Sequence, residues 1–418
     1  MKRLIILLVC TGMYYHVPAQ LIPPMREKNN LEYFINQALA NSPLLKDYQN
    51  QQFLFLLDSQ LIRAALRPQV NGLGNLLVAP IIGGWGYDEI ITNKQQVSAV
   101  IQVSKSFINN KTLASQLANL HIQSLSAANN KKISQQDLQK AVIDQYILTY
   151  SEQLQFDFNN HINGMLQRED AVLKKLTQNN VYKQADYLAF AVLLQQQLLT
   201  GAELKIQYKF DYATLNYLAG VVDTATTILE DPHLNSGILG DFTSSVFYTQ
   251  FKLDSLKLAN DKALIDLTYR PKINAFADAG FNSSLAFTPY KNIGTSAGLT
   301  LSIPLYDGKQ KKIQYSKIDI QERNRLSKKD FFIQQRRQQI LQLIQQLRST
   351  DDMIDLINKQ VKYTEALITV NEKLLSTGDI RLIDFIYSLN NYFTAKNLLT
   401  QNYVARLKIV SQLKYWEN

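Results

Sequence analysis

The chain has almost no cysteine and little histidine. Among its 418 residues Cys10 is the only cysteine, so no internal disulfide bond can form. The histidines are His16, His121, His161 and His233. Their spacing matches no metal-binding motif, and acidic residues on predicted helices more often pair with nearby basic residues than act as catalysts. We therefore predict no metal, no cofactor and no enzymatic activity.

Long apolar runs are missing beyond the N-terminus. Lys2 and Arg3 precede a short apolar run and Val17-Pro18-Ala19 follows it, which is the order of a secretory signal peptide. We predict a signal peptide over residues 1–19; the alternative is a buried N-terminal helix. No later segment has eighteen consecutive apolar residues, so no transmembrane helix is expected. An exported chain that belongs in a membrane must then use a closed β-barrel, because only a barrel otherwise satisfies every backbone group in lipid.

Clusters of basic residues interleaved with aromatic residues are also missing. The formal net charge is +9 at pH 7, and a basic balance of this kind can indicate nucleic acid or anionic lipid as a partner. Without such clusters we interpret the charge as solvated surface. We expect no nucleic-acid partner.

Proline is absent from residues 81–231 and 305–418. Since proline breaks helix interiors, both stretches can form very long helices. In the second stretch, apolar residues recur every seven positions, which is typical of a coiled-coil seam. These residues are Ile340, Leu347, Ile354, Val361, Ile368 and Leu375. If residues 306–376 form one helix, it is roughly 105 Å long.

The sequence contains an internal repeat. Ser98–Lys111 aligns with Ser296–Lys309, and the same offset relates later residues of the two halves. We therefore predict two copies of one unit, a first repeat over residues 20–242 and a second repeat over 243–418. Each copy has a helix, two strands and a long helical hairpin, and the first also holds part of an equatorial region. The helices are expected at about 31–66 and 243–268, and the strands at 67–80, 94–105, 270–286 and 294–305.

Apolar and polar residues alternate along the second strand of each copy. One apolar face over about ten residues is typical of a membrane β-barrel strand, whose outer face contacts lipid. We predict lipid-facing side chains at Val97, Ala99, Ile101, Val103, Leu299, Leu301 and Ile303. On these strands alone, a half-buried strand of a soluble sheet explains the pattern equally well.

Three motifs, in this order, resemble the TolC-like outer-membrane efflux protein family. They are LEYFINQALANSP at 31–43, AGLTLSIPLYDG at 297–308 and STGDIRLID at 376–384. The resemblance covers nearly all of the mature chain. The first copy departs from the pattern at Asn180, where the second has Gly378.

The resemblance implies a mixed α/β membrane protein in the bacterial outer membrane, extending into the periplasm. Three identical chains, each giving four strands, would form one twelve-stranded β-barrel in outer-membrane lipid, continued by a long α-helical coiled-coil tunnel. Such a homotrimer is the exit duct of a tripartite efflux or type I secretion system. Its partners are a periplasmic adaptor protein and, through it, an inner-membrane transporter. The cargo is not predicted.

The resemblance also assigns roles to the ends of the helical hairpins. The adaptor-docking turns correspond to Asn180 with Val181 and to Gly378 with Asp379. Gly378 and Asn180 suit the left-handed conformation of such turns. Asp384 matches the acidic ring at the periplasmic constriction, while Tyr387 stands where a second Asp is common. The alternative for Asp384 is a solvent-facing helix residue.

A second class of protein also fits an exported chain with long helices. An exported periplasmic coiled-coil adaptor or structural protein would use its strands in a soluble module. Such adaptors have one helical hairpin, whereas this sequence has two, and that comparison rests on analogy.

Overall fold

The computed structural model describes residues 30–87, 94–223, 225–235, 243, 245–285 and 288–417. The predicted signal peptide over residues 1–19 lies outside these ranges. None of the helices within them has both the length and the apolar character needed to cross a membrane.

The described chain has seven α-helices and four β-strands. The helices are α1 (Leu31–Asn41), α2 (Pro43–Ala65), α3 (Asn110–Gln178), α4 (Gln184–Ala219), α5 (Val246–Thr268), α6 (Gln310–Thr377) and α7 (Leu382–Glu417). The strands are β1 (Gln69–Val78), β2 (Gln95–Phe107), β3 (Lys272–Ser283) and β4 (Ile293–Ser302).

The single N-terminal helix expected at 31–66 is instead two helices, and that prediction was wrong. Pro43 occupies the first turn of α2, where its missing N–H is tolerated. Ser42 separates the helices in an extended conformation, and its side chain accepts a hydrogen bond from the Leu45 backbone N–H. Proline disfavours the α conformation in the residue before it, which explains why α1 ends here.

The two longest helices fill the proline-free stretches. Helix α3 has 69 residues and α6 has 68, so each is roughly 100 Å long. Helix α6 begins four residues later than expected because Asp307 organises the turn before it. The Asp307 carboxylate accepts hydrogen bonds from the backbone N–H groups of Lys309 at 2.9 Å and Lys311 at 2.7 Å. Along the predicted seam Ile340, Val361, Ile368 and Leu375 are buried, while Leu347 and Ile354 are half-buried.

The four strands form one antiparallel sheet in the order β1-β2-β3-β4. Two hairpins supply β1 with β2 and β3 with β4. Strand β2 pairs with β3 from Val97 opposite Ser283 to Phe107 opposite Ile273. The central pairing therefore joins strands that lie on either side of the whole α3–α4 hairpin.

Shorter helices pack along the two long ones. Helix α3 contacts α2 and α5 as well as α4, and α6 contacts α5 and α7. One apolar cluster lies where α1 meets the middle of α3; there Phe34 packs edge-on against Tyr146 and Tyr212, with ring centroids 5.8 and 6.1 Å away. A second, which we call the tip cluster, joins the far ends of α3, α4, α6 and α7. It includes Leu166, Leu173, Phe190, Val361, Leu375 and Phe385.

An extended segment, residues 225–235, crosses α3, α4 and α7, and we call it the strap. Gln153 on α3 donates to the Leu229 carbonyl at 3.0 Å and accepts from the Leu229 N–H at 2.6 Å. Tyr150 on α3 and Tyr403 on α7 both donate to the Asp231 carboxylate. Burial and the nearby Asp231 raise the pKa of Tyr150 to about 12. The strap thus ties the first helical hairpin to the last helix.

Candidate channel wall and hairpin tips

The strand register places all the predicted lipid-facing residues of β2 and β4 on one face of the sheet. Directly opposed residues of antiparallel strands point to the same side, and side chains alternate along each strand. Ile101 lies opposite Gly72 on one side and Ala279 on the other, and Ala279 lies opposite Thr295. Every second residue of a strand lies on the same face as these residues. The same face therefore carries Val97, Ala99, Val103, Leu299 and Leu301. Ile303 follows the last residue of β4.

This face is apolar and largely uncovered within the chain. Ile101, Leu299 and Leu301 are 62 %, 76 % and 60 % exposed, whereas Val97 is half-buried. The remaining positions of the face are mainly small or apolar, including Val70, Gly72, Gly74, Leu76, Ala275, Ala277, Ala279 and Ala297. Exposed apolar area of this extent is unusual for a soluble surface and indicates contact with lipid or protein.

The opposite face of the sheet is mostly polar. It carries Asn71, Asn75, Ser98, Gln102, Ser104, Asn274, Asp278, Asn282, Ser296 and Thr300. Ser296 donates to Asp278 at 2.7 Å, and Gln96 donates to Asn282 at 3.0 Å. The apolar exceptions on this face are Leu73, Leu77, Val100 and Phe276. The Phe276 ring covers Gly298, where an added Cβ would lie 2.7 Å from the ring. The sheet therefore separates an apolar surface from a hydrogen-bonding one.

The two outer strands have unpaired edges. Within the described residues, β1 pairs only with β2 and β4 pairs only with β3. An unpaired edge presents backbone N–H and C=O groups that can pair with a strand of another chain. The sheet can therefore be extended at both sides.

The two hairpin turns share one backbone geometry. Asn180 and Gly378 both adopt the left-handed conformation, with φ of 60° and 80°. In the first turn the Val181 N–H donates to the Leu176 carbonyl, and in the second the Asp379 N–H donates to the Leu374 carbonyl, both at 2.9 Å. A backbone hydrogen bond of this kind, which encloses six residues, is a common way to end an α-helix. The four predicted docking residues thus occupy equivalent positions in two equivalent turns.

The turns also contact each other. The Tyr182 hydroxyl donates to the Ile380 carbonyl at 2.7 Å, which links the two turns directly. A Cβ added to Gly378 would lie only 2.8 Å from Cγ1 of Val181. Asn180, Val181 and Asp379 are exposed. The structure therefore brings the predicted docking residues together at one exposed end of the chain.

Asp384 is held in an ion pair. Arg381, one turn earlier on the chain, donates to both carboxylate oxygens of Asp384, at 2.8 and 2.9 Å. This bidentate arrangement is the strongest form of an arginine–carboxylate contact, and it raises the pKa of Arg381. Tyr387 is 64 % exposed on the next turn. Asp384 and Tyr387 therefore lie on the uncovered side of α7, while Phe385 between them is buried.

Sequence reasoning missed two polar sites inside the helical region. One is the Asp231 carboxylate in the strap, and the other is Glu169, which is 6 % exposed within α3. A pattern search for apolar seams passes over Glu169 because it interrupts the stripe. The signal that could have found it is its spacing of three residues after Leu166 and four before Leu173.

Very long helical hairpins joined to a four-stranded antiparallel sheet are also the architecture of solved outer-membrane channel structures with TM-scores of 0.73 and 0.68 to this chain. The resemblance predicted from the three motifs is therefore confirmed at the level of the fold. No protein-family model matches the sequence, and no curated protein matches it. The likeness is carried by the structure.

Solved structures share this architecture over nearly the whole chain. A structure of CusC, described in terms of folding and transmembrane channel formation, has a TM-score of 0.73 and 13 % identity, covering 93 % of this chain and 92 % of that one. The outer membrane protein VceC of Vibrio cholerae has a TM-score of 0.72 and 11 % identity over 93 % and 96 % of the two chains. The Campylobacter jejuni CmeC outer membrane channel has a TM-score of 0.68 and 11 % identity over 100 % and 94 %.

Proposed function

We propose that the chain is one of three identical subunits of an outer-membrane exit duct. The duct passes substrates from an inner-membrane transporter and its periplasmic adaptor to the outside, in tripartite efflux or type I secretion. The observation that carries this proposal is the sheet, which has one exposed apolar face, one polar face and two unpaired edges. In a membrane barrel, lipid would cover the apolar face and water would hydrogen-bond to the polar face.

Closure of the barrel requires several chains. Four strands are too few for a membrane barrel, whose smallest usual size is about eight. If β1 of one copy pairs with β4 of the next, three copies give twelve strands without an open edge. Helix α2 supports association of copies because Phe53, Leu57 and Leu61 are 57 %, 54 % and 65 % exposed. An apolar helix face of this kind is expected to be covered in the assembly.

The far end of the helices is the proposed site of contact with the adaptor. The turns at Asn180 with Val181 and at Gly378 with Asp379 lie together there, roughly 100 Å of helix away from the sheet. Asp384 and Tyr387 follow on the uncovered side of α7 and are the proposed constriction residues.

The test uses the full chain expressed with its own N-terminus. We expect the protein to stay in the outer-membrane fraction until detergent is added, to have the mass of a trimer by light scattering, and to conduct ions in planar bilayers. A protein released without detergent that leaves bilayers insulating would instead be the alternative, an exported periplasmic coiled-coil adaptor or structural protein. A membrane-bound trimer that does not conduct ions would contradict the proposed role as a duct but would agree with the proposed trimeric assembly.

A further inference from the structure

A carboxyl group is buried in the tip cluster. Glu169 lies on α3 between the buried Leu166 and Leu173, and it is 6 % exposed. Its Oε2 atom has no hydrogen-bond partner in the part of the chain that the structure describes. Burying a charged carboxylate without partners is strongly unfavourable. The position therefore favours the neutral, protonated form.

A second carboxyl group faces Glu169 across the interface between the two helical hairpins. Glu372 lies on α6 four residues after Ile368 and three before Leu375, both of which are buried in the tip cluster. It is half-buried, and its carboxyl group acts electrostatically on that of Glu169. Two carboxyl groups in contact cannot both ionise without repulsion. Burial, together with Glu372, raises the pKa of Glu169 to about 7.

The other groups around the pair do not neutralise it. Arg168, on the same helix, lowers the pKa of Glu169, but burial and Glu372 raise it by more. Helices α4 and α7 bring Tyr187 and Tyr392 to the cluster, and burial raises the pKa of both. Both tyrosines are therefore neutral at the pH of a cell envelope. Of the groups named here, Glu169 is the one whose pKa lies near neutral pH.

We propose that Glu169 and Glu372 share one proton, that this proton holds the two hairpins together at the tip, and that its loss drives them apart. The carboxyl of Glu169 has a higher pKa in the packed tip than in an unfolded chain, so its proton stabilises the packed tip below the unfolded value. That stabilisation is lost as the pH rises through about 7. In the proposed duct, on which this consequence rests, the periplasmic end loosens at neutral and alkaline pH and tightens in acid.

Hydrogen–deuterium exchange tests the pair without requiring a conducting channel. The full chain in detergent is compared at pH 5.5 and pH 8.0, with rates corrected for intrinsic exchange, in peptides that cover the last turns of α3 and α6. We expect protection to fall on the order of tenfold at the higher pH. Glu169→Gln should abolish the difference, because a neutral amide cannot ionise. Glu372→Gln should reduce it without abolishing it, because burial, the larger cause of the raised pKa of Glu169, remains. Glu365→Gln, an exposed carboxyl seven residues earlier on α6, is the matched control and should keep it.

Two results would overturn the proposal. The first is a pH difference that persists in Glu169→Gln, which would place the titrating group elsewhere. The second is loss of protection when EDTA is added to the wild type at pH 8.0, which would show that a divalent cation occupies the pair. Planar-bilayer conductance at the same two pH values then reports on the duct: a pH-dependent exchange rate without any conductance would contradict the proposed function and leave the proton pair standing.

Discussion

The sheet and the hairpin tips differ in how much of their structure one chain completes. At the tip, Leu173, Phe190 and Phe385 are fully buried by helices of the same chain. In the sheet, Ile101 and Leu299 are mostly exposed and both edges are unpaired. A single chain can therefore stabilise its tip by itself, whereas in the sheet it leaves an apolar face uncovered and two edges unpaired. Changes at the tip should act on the isolated chain, and changes in the sheet should act on assembly.

The largest effect is expected at the centre of the tip cluster. Phe385→Ala removes a fully buried ring and should cost about 3–5 kcal/mol in the unfolding free energy of the helical region. Tyr387→Ala, on the same helix but 64 % exposed, is the control and should change stability by less than about 0.5 kcal/mol. Chemical denaturation in detergent, followed by far-ultraviolet circular dichroism, measures both. Equal losses would mean that the tip is not completed within the chain.

The next effect is expected in the sheet and only in lipid. Ile101 lies at the middle of β2 on the apolar face, so Ile101→Arg should cost about 2–4 kcal/mol when the sheet is inserted in a bilayer. Gln102→Arg, on the polar face of the same strand, should be tolerated. Leu301 stands next to the end of β4, so Leu301→Arg should cost about 0–1 kcal/mol near the interface. Refolding into vesicles measures all three, and damage from Gln102→Arg alone would reverse the assigned faces.

A smaller effect is expected at the second hairpin turn. Gly378→Val places a β-branched residue at φ 80°, with its Cβ against Val181, and should cost about 1–3 kcal/mol. Asn180→Gly, in the equivalent turn of the first copy, should be neutral or slightly stabilising because glycine prefers this conformation. Local hydrogen exchange at the tip and yield of membrane-inserted trimer separate the outcomes. If Gly378→Val lowers both the protection of the tip from exchange and the yield of trimer, the turn is needed for folding rather than for docking.

The smallest effect on stability is expected at Asp384. Asp384→Asn removes an exposed ion pair with Arg381 and should leave unfolding nearly unchanged, because exposed pairs contribute little. In the proposed trimer, three copies of Asp384 around a pore axis should nevertheless favour cations, so the variant should lower cation selectivity in planar bilayers. Arg381→Gln is the matched variant and should increase cation selectivity by leaving Asp384 unpaired. Unchanged selectivity in both would make Asp384 an ordinary surface residue and leave Tyr387 as the next candidate.

Regular patterns account for the parts of the fold that the sequence could predict. The absence of proline and the seam from Ile340 to Leu375 predicted α6, because a seven-residue apolar repeat is typical of long, packed α-helices. Alternation in β2 and β4 predicted which residues share a face, because the strand period is two. The break at Ser42 was also readable in principle, since proline limits the residue before it.

The remaining features depend on contacts between residues far apart in the chain. The strap joins Asp231 to Tyr150 and Tyr403, and no local spacing relates these three. Glu169 looks like an ordinary polar residue until the tip cluster is assembled around it. The pairing of Arg381 with Asp384, by contrast, follows a three-residue helical spacing and could have been anticipated.

The pairing of β2 with β3 has a consequence for the order of folding. During synthesis, β1 and β2 are the first strands to emerge and can form their hairpin at once, but the second partner of β2, strand β3, follows only after the whole α3–α4 hairpin and α5. Long-range strand pairing of this kind is slow. Meanwhile the hairpin exposes an apolar face and a strand edge, which is the condition under which intermediates aggregate. The β1–β2 hairpin is therefore the part of the sheet most exposed to aggregation until β3 has been made.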